Sequence, residues 1–168
     1  QNGHDLVCEL LLKHGANINQ INVEDGSTPL RIASSQGHEP TCELLLKYEA
    51  DVNQVDYNGS TPLYLASQNG HGSICELLLK HGANINQANN DGSAPLYVVS
   101  HQGYESICEL LLQHEADVNQ SDNDGKTPLY VASQNGYESV CKLLLKHGAK
   151  MNQGYNIVFT ALYAASQY

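Results

Sequence analysis

The chain has 168 residues, with 18 acidic against 8 basic side chains and a formal net charge of -10. A hydrophobic content of 41% is too high for a disordered acidic tail, and the charge disfavours nucleic acid and anionic membranes as partners. No apolar run approaches the length that spans a bilayer. No basic segment followed by an apolar one opens the sequence, so no signal peptide is expected.

The cysteines set the ruler. Cys8, Cys42, Cys75, Cys108 and Cys141 are separated by 34, 33, 33 and 33 residues, and Pro29, Pro62, Pro95 and Pro128 by 33 each time. A fixed period of this size marks a repeat architecture. In chain order within one period, Thr61-Pro62-Leu63 opens a first helix. The threonine hydroxyl caps free amides, and proline suits a position whose N–H has no helical partner. That helix is short and stops at Gly70. A second helix is predicted over Ser73 to Lys80, its buried face formed by Ile74, Cys75, Leu77, Leu78 and Leu79. Gly82 is placed to end it in the left-handed conformation. The Asn-, Asp- and Gly-rich stretch that follows suits a hairpin-like turn. Two helices of this length cannot bury a core alone, whereas stacked copies cover each other's apolar sides.

The motifs Gly-Ser-Thr-Pro-Leu (26–30 and 59–63), Gly-Ser-Ala-Pro-Leu (92–96) and Gly-Lys-Thr-Pro-Leu (125–129) recur in phase with Leu-Leu-Leu-Lys-His-Gly-Ala-Asn-Ile-Asn (10–19 and 77–86). Carrying these, the chain resembles the ankyrin repeat family over essentially its whole length. The resemblance implies an all-α solenoid of helix-turn-helix units with short β-hairpin-like loops forming a concave face. Read as a single domain, the array divides into a partial unit 1–21, full units 22–55, 56–88, 89–121 and 122–154, and a partial unit 155–168. The first full unit is one residue longer, with the extra residue in the Asn22–Gly26 turn. An array that starts and ends within a unit is expected to be a piece of a longer one.

Several positions depart from the family pattern. The histidine usual after Thr-Pro-Leu is replaced by Arg31, Tyr64, Tyr97, Tyr130 and Tyr163. The glycine that ends the second helix is replaced by Glu49 and Glu115, each costing about 1 kcal/mol if the left-handed conformation persists. Near the end, Val158 stands in place of Gly and Ala161 in place of Pro, and Ile157, Val158 and Phe159 form an apolar loop that expects a further unit or a partner.

Candidate chemistry is sparse. Equivalent cysteines on neighbouring helices would sit about 8–10 Å apart, too far for a disulfide or shared zinc ligation, so the ladder reads as small core residues. His14, His81, His114 and His147 follow second helices, where a cation is favoured. His4, His38 and His71 alternate with Tyr104 and Tyr137, which points to a hydrogen-bonded packing role that either ring fills. Glu9–Lys13, Glu43–Lys47 and Glu76–Lys80 are predicted i,i+4 ion pairs, with Lys142–Lys146 a like-charge exception. The turn-tip aspartates are expected to lack such partners. No catalytic residue, metal or cofactor is expected.

The best functional candidates are positions that vary while their neighbours do not. Turn tips contribute Asp25, Ser27, Tyr57, Asn58, Ser60, Asn90, Asp91, Ser93, Asn123, Asp124 and Lys126, with Val23 and Glu24 beside them. First-helix ends contribute Gln68, Asn69, His101, Gln102, Gln134 and Asn135. Tyr64, Tyr97, Tyr130 and Tyr163 form a stripe that reads either as packing between units, the favoured reading, or as partner contact, and Arg31 at the same position is a further candidate. The resemblance implies a non-catalytic, intracellular (cytoplasmic or nuclear) scaffold that binds another protein, one with a polar or basic surface. Such an array is expected to be monomeric, or to associate through its exposed C-terminal end. The family also supplies alternatives: a substrate for asparaginyl hydroxylation, with Asn53 and Asn119 in Asp-Val-Asn the closest matches, or a targeting module of a larger enzyme or pathogen effector.

Overall fold

A computed structural model describes residues 3–152 and 160–166. Those residues form ten α-helices and no strand: α1 (Gly3–Lys13), α2 (Pro29–Gln36), α3 (Glu39–Lys47), α4 (Pro62–Gln68), α5 (Gly72–Lys80), α6 (Pro95–Gln102), α7 (Glu105–Gln113), α8 (Pro128–Gln134), α9 (Glu138–Lys146) and α10 (Ala161–Ser166). The all-α repeat architecture expected from the sequence is the one observed. The chain groups into two compact units, residues 1–84 and 85–168.

Each unit is a stack. In the first, α2 packs on α3 and α4 on α5, while α2 meets α4 and α3 meets both α1 and α5. In the second, α6 packs on α7 and α8 on α9, while α8 lies between α6 and α10 and α7 meets α9. The cores repeat in register. Leu30, Leu63, Leu96 and Leu129, the leucines after the prolines, are all nearly inaccessible. Ile74, Leu78, Leu111 and Leu144 seal the second helices from the other side. Burying such side chains contributes about 1.5–3 kcal/mol each. By contrast, Leu6, Val7, Leu10 and Leu11 of α1 are each more than half exposed, because no first helix packs on α1 among the described residues.

Helix starts follow the local chemistry. Thr28, Thr61 and Thr127 accept hydrogen bonds from the amides of Arg31 (3.2 Å), Tyr64 (3.0 Å) and Tyr130 (3.2 Å), with proline at the first helical position. α6 is preceded by Ala94 and has no side-chain cap. α10 keeps its cap without a proline, the Tyr163 amide donating to Thr160 Oγ1 at 3.3 Å. The expected helix ends are also observed. Glu49 and Glu115 hold φ of 65° and 64°, so the left-handed conformation persists at a cost of about 1 kcal/mol each.

The stacking surfaces explain the alternation of His with Tyr. A Cβ at Gly37 would lie 2.7 Å from the His71 ring, and one at Gly103 would lie 2.8 Å from the Tyr137 ring. Either aromatic ring lies flat on a backbone that only glycine leaves bare. The His71 Nε2 also reaches the Ser35 carbonyl at 3.2 Å. His14 and His114 fold back so that Nδ1 donates to the carbonyls of Leu10 (2.8 Å) and Leu110 (3.0 Å) in the last helical turn.

Cys42, Cys75 and Cys108 are fully buried, while Cys8 and Cys141 are half-buried, and all five are free thiols. Burial pushes the Cys42 and Cys75 thiols up to about 11 and Cys108 to about 12. Ser34, Ser67 and Ser133 hydroxyls lie 3.5–3.6 Å from the sulfurs of Cys42, Cys75 and Cys141.

Two electrostatic expectations are corrected. Glu9–Lys13 (2.9 Å) and Glu76–Lys80 (2.7 Å) form, but Glu43 and Lys47 do not come within ion-pair distance. An exposed pair of this kind is worth only a few tenths of a kcal/mol and does not fix two long side chains. Lys142 is not left facing Lys146 alone, since it pairs with Glu138 at 2.5 Å. The apolar loop at Ile157, Val158 and Phe159 lies outside the described residues.

Candidate partner-binding surface

Each turn is organised by one Asn or Asp at its first position. Asp56 Oδ1 accepts the amides of Asn58 (2.9 Å) and Ser60 (2.8 Å), Asn89 Oδ1 those of Asp91 (3.0 Å) and Ser93 (2.9 Å), and Asp122 Oδ1 that of Lys126 (2.8 Å). These are side-chain-closed turns of the kind Asn and Asp favour. The sequence reading passed over these residues, although Asn22, Asp56, Asn89 and Asp122 recur in phase with the prolines. Within each unit, consecutive turns are tied backbone to backbone. The Tyr57 amide donates to the Asp25 carbonyl (3.0 Å), and the Asn123 amide to the Asp91 carbonyl (2.9 Å).

The candidate residues sort by exposure. Tyr57, Asn58, Asn69, Asn90, Asp91, His101, Gln102, Asn123, Asp124 and Asn135 are exposed, and Asp25, Arg31, Gln68, Tyr97, Lys126 and Gln134 are half-buried. Ser27, Ser60, Ser93, Tyr64 and Tyr130 are buried and so do not meet solvent. Tyr130 packs with Val131 and Ala164, with Tyr97 against that cluster. Packing accounts for this part of the stripe.

In the first unit, Arg31 takes a different route. Its guanidinium pairs with Asp56, whose side chain is 1% exposed, and donates to the Ser27 hydroxyl. Asp25 lies 3.7 Å from the same guanidinium and accepts from both the hydroxyl and the amide of Ser27. These bonds, the Ser27 hydroxyl first, hold the Asp25 carboxyl below its ordinary value. In the second unit, Asp124 pairs with Lys126 at 3.2 Å. Two of the turn-tip aspartates expected to be unpartnered are therefore engaged, because each turn brings a donor two residues along. The Asp91 carboxylate alone takes no bond among the described residues.

The first-helix ends also interlock. Asn69 donates its amide to the Ser35 carbonyl (2.9 Å) and Asn135 to the His101 carbonyl (2.9 Å). In the second unit His101, Gln134 and Asn135 line one polar recess of about 720 Å³ together with Ser133 and Gly136.

Asn53 and Asn119 sit elsewhere, on the loops after the second helices. Asn53 Oδ1 accepts the Asn84 amide (2.7 Å) while Nδ2 donates to the Gly82 carbonyl (3.2 Å). Asn119 bridges to the Lys150 amide (2.9 Å) and the Gly148 carbonyl (3.4 Å) in the same way. Asn19 and Asn86 accept the amides of Asp51 (3.0 Å) and Asp117 (2.9 Å). This asparagine ladder fastens each repeat to the next within a unit, and an enzyme acting on either amide would have to open it.

No helix among the described residues is long and apolar enough to cross a membrane. A family model described as ankyrin repeats (3 copies) matches residues 1–89 and 84–155. No curated protein matches the chain.

Proposed function

We propose a function from one premise: this chain belongs to the ankyrin repeat family, whose repeats are generally protein–protein interaction modules. On that premise the chain is a non-catalytic scaffold that binds a partner protein through its turn tips and first-helix ends. The observation that carries this reading is a fixed turn backbone that holds exposed side chains out at the tips. Turn backbones are closed by Asn or Asp and tied to the next turn, while Tyr57, Asn58, Asn90, Asp91, Asn123 and Asp124 remain exposed. A surface ordered before binding loses little entropy when it binds. The surplus of acidic over basic residues favours a partner with a basic face, charge acting mainly on encounter and selection.

The test is a capture experiment from cell extract with the intact chain. Partners found this way are then purified and titrated against the double variant Asp91→Lys, Asp124→Lys. Affinity is expected to fall at least tenfold, with the drop shrinking as salt rises. Unaltered binding by the double variant, at any salt, removes the Asp91 and Asp124 tips from the interface.

A further inference from the structure

The one break in the 33-residue period builds a distinct tip. In the later turns the first residue's amide closes onto the carbonyl four residues on: Asp56 to Ser60 (3.2 Å), Asn89 to Ser93 (3.1 Å) and Asp122 to Lys126 (3.0 Å). In the first full repeat the closure spans five, Asn22 to Ser27 (2.9 Å), and Gly26 turns back to the Asn22 carbonyl (2.8 Å). The extra length pushes Val23 outward to 82% exposure, the highest of any large apolar side chain among the described residues.

Val23 does not stand alone. Tyr57, 58% exposed, lays its ring over Gly26, where a Cβ would come within 2.7 Å of a ring carbon, and its hydroxyl reaches the Val23 carbonyl at 3.5 Å. Gly26 also holds a φ of 74°, so no other residue serves this turn without strain. Glu24 is exposed, its amide capped by Asn22 (3.0 Å) and its carboxylate without a partner among the described residues. Beneath this tip lies the Asp25–Ser27–Arg31–Asp56 network, which fixes the longer loop from below. Among the described residues the second unit has no counterpart, its tips there carrying Asn90, Asp91, Asn123, Asp124 and Lys126.

An exposed aliphatic side chain next to a tyrosine, on a rigid base and beside one unneutralised carboxylate, has the make-up of an interface anchor. We propose that the Val23–Glu24–Tyr57 tip is the anchor of this chain's binding surface. Its occupant is a partner segment that presents an aliphatic or aromatic side chain flanked by lysine or arginine. The apolar side chain covers Val23 and the Tyr57 ring, and the cation faces Glu24. This rests on the partner-binding reading above and assigns it a location and a chemistry.

The experiment uses the isotope-labelled 168-residue chain and a matrix of synthetic dodecapeptides. The central residue is Leu, Phe or Ser, and the flanking residues are Lys, Ser or Glu. Backbone amide shifts are followed during titration. The Leu and Phe peptides with Lys flanks are expected to move the Val23, Glu24 and Tyr57 resonances, with affinity at least tenfold above the Ser-centred peptides. Val23→Ser and excision of Val23, which restores the 33-residue period, should each cost about tenfold. Glu24→Gln should remove the preference for Lys over Glu flanks, and Glu43→Gln on α3 should change nothing. Shifts confined to Asn90, Asp91, Asn123 or Asp124 would overturn the anchor while leaving partner binding at the tips intact. So would equal response to Leu- and Ser-centred peptides. Absence of shifts at every tip overturns the anchor as well, and a loss of affinity by the Asp91→Lys, Asp124→Lys double variant in the capture experiment then leaves the wider reading standing.

Discussion

Arg31 and Tyr97 occupy the same place, two residues past the proline, in the first full repeat of each unit. The next turn in each case begins with an aspartate, Asp56 in one unit and Asp122 in the other. Beside Arg31, Asp56 is 4% exposed, whereas Asp122, in the unit where tyrosine replaces arginine, is half-buried. The aspartate does the same work in both, closing its own turn through Oδ1. What differs is how far it leaves water. Removing a carboxylate from solvent costs several kcal/mol unless a cation and hydrogen bonds replace its hydration. The guanidinium supplies the cation and the Asn58 and Ser60 amides supply the hydrogen bonds, so the first unit sinks its turn deeper and the second keeps one edge wet.

The largest expected effect comes from breaking that pair. Arg31→Ala leaves Asp56 buried without its counter-charge and should cost about 3–5 kcal/mol in urea denaturation. Changing Asp56 to Asn together with Arg31→Tyr gives the residue types that Tyr64 and Asn89 hold at the same sequence spacing. That double variant should recover most of the loss, and a double variant as unstable as Arg31→Ala would mean the burial of Asp56 has another cause.

A smaller contrast lies at the helix starts. α2 begins behind Thr28, with its hydroxyl cap, and α6 behind Ala94, without one. Ala94→Thr should stabilise the second unit by about 1 kcal/mol, read as a shift in the denaturation midpoint. Thr28→Ala should lower the first by a similar amount. Equal insensitivity at both sites would show that proline alone sets these starts.

Glu49 and Glu115 give the units the same defect, so here symmetry is the prediction. Glu49→Gly and Glu115→Gly should each stabilise by about 0.5–1 kcal/mol, since relief of the left-handed strain outweighs the gain in unfolded-chain freedom. Unequal values would locate further strain in one loop.

The smallest effect is in acid. Asp25 has a folded pKa below its unfolded one, because Ser27 donates to the carboxylate and Arg31 lies near it. Its contribution is therefore complete above about pH 4 and is lost as pH falls through the depressed value. Asp25→Asn should flatten that part of the pH–stability curve.

Sequence reading reached the caps and the left-handed ends because each depends on residues within one turn of backbone, and the repeat because its motifs recur in phase. It also placed the longer loop at Asn22–Gly26, where the hydrogen bonds put it. What it missed depends on distance. Arg31 looked like a lost histidine because its partner, Asp56, belongs to the next repeat. Glu43–Lys47 has the right spacing, but a bond of a few tenths of a kcal/mol does not dictate where two exposed side chains go. Asp25 and Asp124 looked unpartnered because a donor two residues along counts only once the chain has turned. The asparagine ladder was visible as a period, yet its bonds join residues 29 to 32 positions apart.

The one cysteine in each second helix has a use as a clock. At neutral pH a thiol pushed to 11 or 12 is almost wholly protonated and, when sealed in a core, meets no reagent. Alkylation of Cys42, Cys75 or Cys108 then waits on the opening of its own repeat, while half-buried Cys8 and Cys141 report the looser ends. Peptide-resolved labelling with time would give an opening rate for each helix pair, and the order in which the stack comes apart, without altering a residue.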